Sequence, residues 1–259
     1  MTEETSDIVV GRNALRELLK SGRQIDKLLI QSGTREGSVI ELIAKAKDRK
    51  IPVTEVSKSK LDEICVRAGC AANSHQGVAA YTAVIEYASL DDLFAEAETR
   101  GEKPFFIMAD RISDPHNLGA LIRCCEGAGA HGIIIPKRGA TGVGAAVMKS
   151  SAGAAEYLKI CRVTNLAETA ETLKKRGVWL FACESGGKKY CEADYDLPLC
   201  LILGSEGEGV SRLLRDKSDF VISIPMRGAV NSLNVSCAGA VFMYEALRNR
   251  QICAASSDT

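Results

Sequence analysis

The sequence predicts an α/β protein in two parts, a small α/β unit followed by a larger one built on a mostly parallel sheet. Three observations predict it. Short apolar runs alternate with helical patterns along the whole chain. Several of the later runs, PFFIMA, GIIIP and LCLILG among them, are apolar at almost every position, as strands covered on both faces are. Charge also divides the chain: residues 1–83 carry 13 basic and 11 acidic side chains, 84–103 carry 2 and 6, and 104–259 carry 18 and 16. The expected boundaries are a first domain over 1–83, a linker over 84–103 and a second domain over 104–259.

In the first part IVV reads as a strand, NALRELLKSG as a helix stopped at Gly22, and KLLIQSG as a strand. SVIELIAKAKDRK has apolar residues at 39, 40, 42, 43, 44 and 46, which suits an amphipathic helix. IPVTEV is a strand, LDEICVRAG a helix and GVAAYTAVI a strand. EYASLDDLFAEAETRGEK reads as a charged linker helix. The second part opens with the strand PFFIMAD, ending in Asp110. Helix ALIRCCEGAGA, strand HGIIIP, helix AAVMKSSAGAAEYL, strand KICRV and helix NLAETAETLKKRG follow. Strands VWLFACE and LCLILG come next, then helix VSRLLRDK, strand FVISIP and a final helix from about Val235. Only the polar tail AASSDT is of low complexity, and no internal repeat is visible.

Composition narrows the class. Of 259 residues 46% are hydrophobic and 25% charged, the balance of a soluble globular protein. No apolar run approaches the roughly 18 residues of a membrane span. The acidic opening MTEETSDIVV is unlike a secretory signal, so a cytoplasmic protein is expected. The ten cysteines form no C-x-x-C pair and the three histidines are scattered, so metal-site spacing is absent and no metal is expected. The cysteines read as small core residues kept reduced. A net charge of zero argues against an indiscriminate nucleic-acid binder.

The familiar phosphate loops fail on inspection. A P-loop needs glycine before Lys149-Ser150, where Met148 stands, and Gly139, Gly142 and Gly144 are spaced wrongly for G-x-G-x-x-G. The first strand-end loop, DRISDPHNLGALIR, has a single glycine, which argues against a nicotinamide or nucleoside-triphosphate site. What remains is a set of three loops: that one, LGSEGEGVSRLL at 203–214, and IPMRGAVNSLNV at 224–235. Ligands of open α/β sheets bind beyond the carboxyl ends of strands. In the third loop Asn231, Ser232 and Asn234 stand at the entrance to an apolar helix, where they either cap it or face a ligand.

Together the loops resemble the three motifs of the SpoU (TrmH) family of RNA 2′-O-ribose methyltransferases, of the SPOUT superfamily. The matching residues are Asn117-Leu118-Gly119-Ala120 with Arg123, then Gly204-Ser205-Glu206-Gly207 with Gly209, then Pro225-Met226 and Asn231-Ser232-Leu233-Asn234-Val235. GRNALRELL and SHQGVAA look like the family's L30e-like substrate-binding domain. RVTNLAET is similar to the RlmB subgroup, which modifies a guanosine of 23S rRNA. The resemblance spans about residues 8–250.

The resemblance implies a second domain with a deep trefoil knot around its mostly parallel sheet, and S-adenosyl-L-methionine as cofactor. It implies that Gly204, Ile224, Met226 and Leu233 contact that cofactor. It casts Asn117, Arg123, Glu206, Ser232 and Asn234 as catalytic, with RNA, most closely 23S rRNA, as partner and a homodimer as assembly. A guanidinium hardly ever gives up its proton, so Arg123 is read as a clamp on substrate phosphate rather than a base. Glu206 either orients Arg123 or accepts the proton. Local roles compete with these: Arg123 as an exposed helix charge, Asn117, Ser232 or Asn234 as an N-cap, and Glu206 as a cap of the helix near Val210.

Overall fold

In the structure, a computed structural model, residues 6–34, 36–83 and 85–257 are described; the acidic opening 1–5 and the end of the polar tail, 258–259, lie outside them. The chain divides into two units, one of residues 1–86 with 142–157, the other of 87–141 with 158–259.

The first unit holds a four-stranded sheet of β1 (Ser6–Val10), β2 (Ile25–Gln31), β3 (Val53–Val56) and β4 (Val78–Ala83), ordered β1-β4-β2-β3. β4 runs antiparallel to both neighbours and β2 parallel to β3. Helices α1 (Arg12–Lys20), α2 (Gly37–Asp48) and α3 (Lys58–Arg67) complete it. Their sequences explain them: α1 repeats apolar residues at helical spacing and buries Ala14, Leu15, Leu18 and Leu19. The Ser57 hydroxyl accepts the Lys60 N–H and so caps α3, which buries Leu61, Ile64 and Cys65.

The second unit is a six-stranded sheet in which every neighbouring pair is parallel. It begins with α4 (Leu90–Arg100), the helix expected as a linker. That stretch is instead part of the unit's core: Leu93 and Ala97 are buried, and Leu93 packs with Phe106, Met108 and Ile134. Its charges occupy only one side, while Leu90, Leu93, Phe94 and Ala97 repeat at helical spacing and bring it onto the sheet. Then come β5 (Phe105–Ala109), α5 (Pro115–Gly127) and β6 (Gly132–Pro136).

The next helix, α6 (Ala145–Ser150), groups with the first unit although it lies within the stretch 104–259 expected as the second domain. Sequence reading also runs this helix on to Leu158. It stops because Ala152 and Gly153 take positive φ (52° and 91°), followed by one tight turn over Ala154–Glu156. Gly153 sits so close to α1 that a Cβ there would stand 2.5 Å from Glu17 Cβ. The Arg23–Glu156 ion pair at 2.8 Å and the Tyr157 hydroxyl donating to Glu17 at 2.7 Å pin the segment.

The chain then supplies β7 (Ile160–Val163), α7 (Leu166–Lys175), β8 (Trp179–Lys189), β9 (Leu199–Leu203), α8 (Arg212–Lys217), β10 (Phe220–Ser223) and α9 (Val235–Ser257). Strand order is β10-β8-β9-β5-β6-β7. From β5 the sheet grows outward through β6 and β7, then restarts on the other side, with β9 inserted next to β5. The direction of growth reverses there, and such a switch point opens a crevice beyond the carboxyl ends of the two strands. β8 stays paired with β9 only as far as Cys183–Leu203, and its pairing with β10 jumps from Ala182–Val221 to Lys188–Ile222. Residues 184–187 are thus released from the ladder beside the crevice. No helix among the described residues is long and apolar enough to cross a membrane.

Candidate active site

Beside that crevice, beyond the carboxyl ends of β8 and β9, lies a cavity of about 530 Å³, walled by residues of β8, the loop after β9, the run after β10 and the start of α9. The loop after β9 owes its shape to glycine. A Cβ on Gly204 would lie 2.0 Å from the Gly209 carbonyl carbon, so the two backbones touch. Gly207 and Gly209 take positive φ, and Gly209 N–H donates to Ser205 O at 3.0 Å, closing a tight loop with Glu206 at its tip.

Asp110 and Arg111 hold this loop from the end of β5. Buried Asp110 accepts the Ser211 N–H at 2.7 Å. Arg111, itself at φ 58°, donates to Gly209 O at 3.2 Å and pairs with Glu208. Neither residue stands out in the sequence as a functional one.

Two helix N-termini meet the loop. Asp114 caps α5 by accepting the His116 N–H at 2.8 Å, with Pro115 at the first helical position, so Asn117 lies inside the first turn rather than capping it. Asn234 does cap α9: its Oδ1 accepts the N–H groups of Ser236 (2.9 Å) and Cys237 (3.4 Å). That leaves its Nδ2 free to donate to Asn117 Oδ1 at 3.0 Å and to Glu206 Oε1. Asn117 Nδ2 donates to the same Glu206 oxygen at 3.1 Å. The close crossing of α5 and α9 brings the two amides together: Gly239 presses so closely on Leu121 that a Cβ would come within 2.5 Å.

The alternative posed by the third loop therefore has a double answer, since Asn234 is a cap through one atom and a site residue through the other. Glu206 caps no helix. Ser232, Leu233, Met226, Ile224 and Gly204 all line the cavity. Met226 and Leu233 remain 37% and 40% exposed at its rim, apolar surface that the chain itself does not cover. Arg123 is exposed on α5, is not part of the cavity wall, and makes no hydrogen bond with the Asn117–Glu206–Asn234 cluster.

The sequence reading missed the end of β8. Cys183, Glu184 and Ser185 line the cavity, as does Phe242 of α9. The signal was present, because VWLFACE reads as a parallel strand ending at Glu184, and carboxyl ends are where ligands bind. Burial pushes the Cys183 thiol well above its usual range, so it is no thiolate nucleophile. Among the described residues no group of three His, Cys, Asp or Glu is placed to hold a metal. An adenosine-sized ligand fits this wall: a glycine cradle at Gly204 and Gly209, an apolar flank, and a buried Glu184 oxygen that accepts no hydrogen bond.

Comparison with known proteins agrees with the geometry. The SpoU rRNA methylase family model matches residues 104–244, and the RNA 2′-O ribose methyltransferase substrate-binding model matches residues 8–88. YacO of Bacillus subtilis, assigned to the TrmH family of tRNA/rRNA methyltransferases, is 44% identical over 245 residues, 94% of this chain and 96% of its own. A TrmH family relative in Staphylococcus saprophyticus is 43% identical over 244 residues, 94% and 96% of the two chains. Among solved structures, the AdoMet-bound rRNA methyltransferase of Sinorhizobium meliloti is 25% identical with a TM-score of 0.72, covering 95% of this chain and 88% of that one. The SpoU methyltransferase AviRb of Streptomyces viridochromogenes, in complex with AdoMet, shares the fold at a TM-score of 0.77 and 23% identity, covering 96% and 92%.

Proposed function

This chain belongs to the SpoU (TrmH) family of RNA methyltransferases, and from that premise we propose that it methylates the ribose 2′-hydroxyl of a guanosine in the peptidyl-transferase region of 23S rRNA. The family's cofactor, S-adenosyl-L-methionine, supplies an electrophilic methyl group. The observation that carries the reading is the amide–carboxylate cluster of Asn117, Glu206 and Asn234 at the mouth of a glycine-cradled cavity.

Gly204, Ile224, Met226 and Leu233 would hold the cofactor, chiefly through backbone groups and apolar contact. A ribose hydroxyl is a weak nucleophile near neutral pH and needs a group that takes its proton or stabilises developing negative charge. Glu206 is tied to the two amides rather than to Arg123, which favours its role as proton acceptor, held in one orientation by Asn117 and Asn234. Ser232, exposed on the same wall, is a hydrogen-bonding partner for the incoming ribose. Arg123, exposed and permanently charged, serves the substrate phosphate.

Residues 1–83 in this reading are the L30e-like RNA-binding domain, a role supported by the substrate-binding model over residues 8–88. RVTNLAET supports 23S rRNA over tRNA. The trefoil knot belongs to the same reading, supported by Ile224, Met226 and residues 231–234 lining the cavity of the 204–209 loop. So does a homodimer, supported by Tyr244 and Ile252, which α9 leaves 50% and 53% exposed; a cytoplasmic location goes with the substrate.

The test is transfer of labelled methyl to unmodified 23S rRNA and, in parallel, to bulk tRNA. The product is mapped by its resistance to alkaline cleavage, which needs a free 2′-hydroxyl. Label in one 23S guanosine, abolished in Arg123→Ala, is expected. Label in tRNA alone would overturn the substrate and keep the chemistry.

A further inference from the structure

Three carboxylates border the cavity, and two of them are engaged. Glu206 accepts from Asn117 and Asn234, and Glu208 is paired with Arg111. The third is Glu184. Its Oε2 is buried and accepts no hydrogen bond; its one ion pair, with Arg215 Nε at 3.6 Å, is too long to supply one. A buried carboxylate oxygen without a donor is a costly arrangement that a ligand donor relieves.

Its location is built rather than incidental. Cys183 is the last β8 residue paired with β9, and Glu184 follows where the strand leaves the ladder at the crevice. Gly209, at φ 68°, is its neighbour across the cavity wall: a Cβ there would make ordinary contact with Glu184 Oε1 at 3.4 Å.

The chemistry of the ligand narrows what this carboxylate meets. S-adenosylmethionine offers hydrogen-bond donors at the adenine amine, the two vicinal ribose hydroxyls and the α-ammonium. The apolar side chains of Ile224, Met226 and Leu233 suit the flat base. The methyl group must reach the Asn117–Glu206–Asn234 cluster, and the ribose lies between base and sulfonium by covalent connection. An ammonium at Glu184 would approach Arg215, a like charge, whereas hydroxyls add none. One carboxylate also matches two adjacent hydroxyls in geometry, as acidic residues do at ribose in dinucleotide folds.

We propose that Glu184 binds the 2′,3′-diol of the adenosyl cofactor and makes this site selective for ribo- over deoxyribonucleosides. The inference rests on the reading of the cavity as the S-adenosylmethionine site. It is tested by calorimetric binding of S-adenosylhomocysteine, 5′-methylthioadenosine and the 2′-deoxy form of the latter to the full-length protein, wild type, Glu184→Gln and Glu184→Ala. Circular dichroism and thermal melting check the fold of each variant, and the isosteric Glu184→Gln carries the test if Glu184→Ala does not fold.

Wild type is expected to bind the 2′-deoxy compound about 10- to 100-fold more weakly than its ribo parent. Glu184→Ala should bind both parents more weakly by a similar factor and lose the discrimination, with Glu184→Gln between. Unchanged discrimination in both folded variants would overturn the proposal, as would unchanged affinity for S-adenosylhomocysteine. A loss confined to S-adenosylhomocysteine and absent for 5′-methylthioadenosine would overturn it in favour of the α-ammonium. Failure of wild type to bind S-adenosylhomocysteine would overturn the cofactor reading itself, a distinct result.

Discussion

At its N-terminal end α9 brings Asn234 to Glu206 and Asn117; at the other end it brings Arg250 to a cluster of backbone carbonyls. Arg250 donates to the oxygens of Lys103 (2.8 Å), Pro104 (2.9 Å), Leu197 (2.7 Å) and Tyr195 (3.1 Å), and its guanidinium stacks 5.0 Å from the Phe105 ring. Asn249 accepts the Tyr195 N–H beside it. Nearby, buried His131 accepts the Phe105 N–H through Nδ1 at 2.9 Å and contacts Glu102 through Nε2 at 3.0 Å. The polar groups of this end are consumed by the protein itself and hold β5, the 195–198 turn and α9 together. Those of the N-terminal end close on one another only in part and open onto a cavity. A satisfied network fixes structure, and one that faces empty volume is available to a ligand.

The sharpest way to break the comparison is Asn234→Ser. Serine caps a helix as well as asparagine but cannot reach Glu206 with an amide. Methyl transfer should fall about 10²–10³-fold, while stability in urea stays within about 0.5 kcal/mol of wild type. A large loss of stability would make this end structural as well. Gly204→Ala comes next, because its Cβ would strike the Gly209 backbone rather than a side chain able to move. It should cost about 3 kcal/mol and abolish S-adenosylhomocysteine binding in calorimetry.

At the opposite end Arg250→Met should destabilise by about 2–3 kcal/mol through carbonyls left without donors, read by urea denaturation, with methyl transfer per folded molecule unchanged. A specific loss of activity would mean the two ends are coupled along α9.

The smallest effect concerns pH. Burial pushes the His131 pKa below its ordinary 6.5, opposed by Glu102. Above that value the folded and unfolded states are both neutral here and its contribution is complete. As pH falls below 6.5 the unfolded chain binds the proton first, so stability drops. Urea denaturation at pH 7.5 and 5.5 should show a steeper loss for wild type than for His131→Gln.

The strand and helix pattern was legible because period and strand-end chemistry are local. The α6 break escaped because Ala152 and Gly153 bend to let α1 approach, a demand made by residues far away in sequence. The linker reading of α4 failed on the same ground: charge suggested exposure, and only the sheet shows what Leu93 packs against. Of the residues expected at the site, Asn117, Glu206 and Asn234 meet by direct hydrogen bonds, and Gly204, Ile224, Met226, Ser232 and Leu233 share the cavity wall. Arg123 stands apart from both.

The sequence by itself determined the alternation of strands and helices, the parallel character of the second sheet, and the three loops whose residue types suit a ligand. Tertiary structure alone decided that β9 inserts beside β5, that Asn234 divides its two polar atoms between a helix cap and Glu206, and that Glu184 leaves the β8 ladder to face the cavity. The physical reason is range. Propensity and periodicity act over a few residues, whereas a cavity and a buried carboxylate oxygen without a hydrogen-bond donor exist only where segments distant in the chain come together.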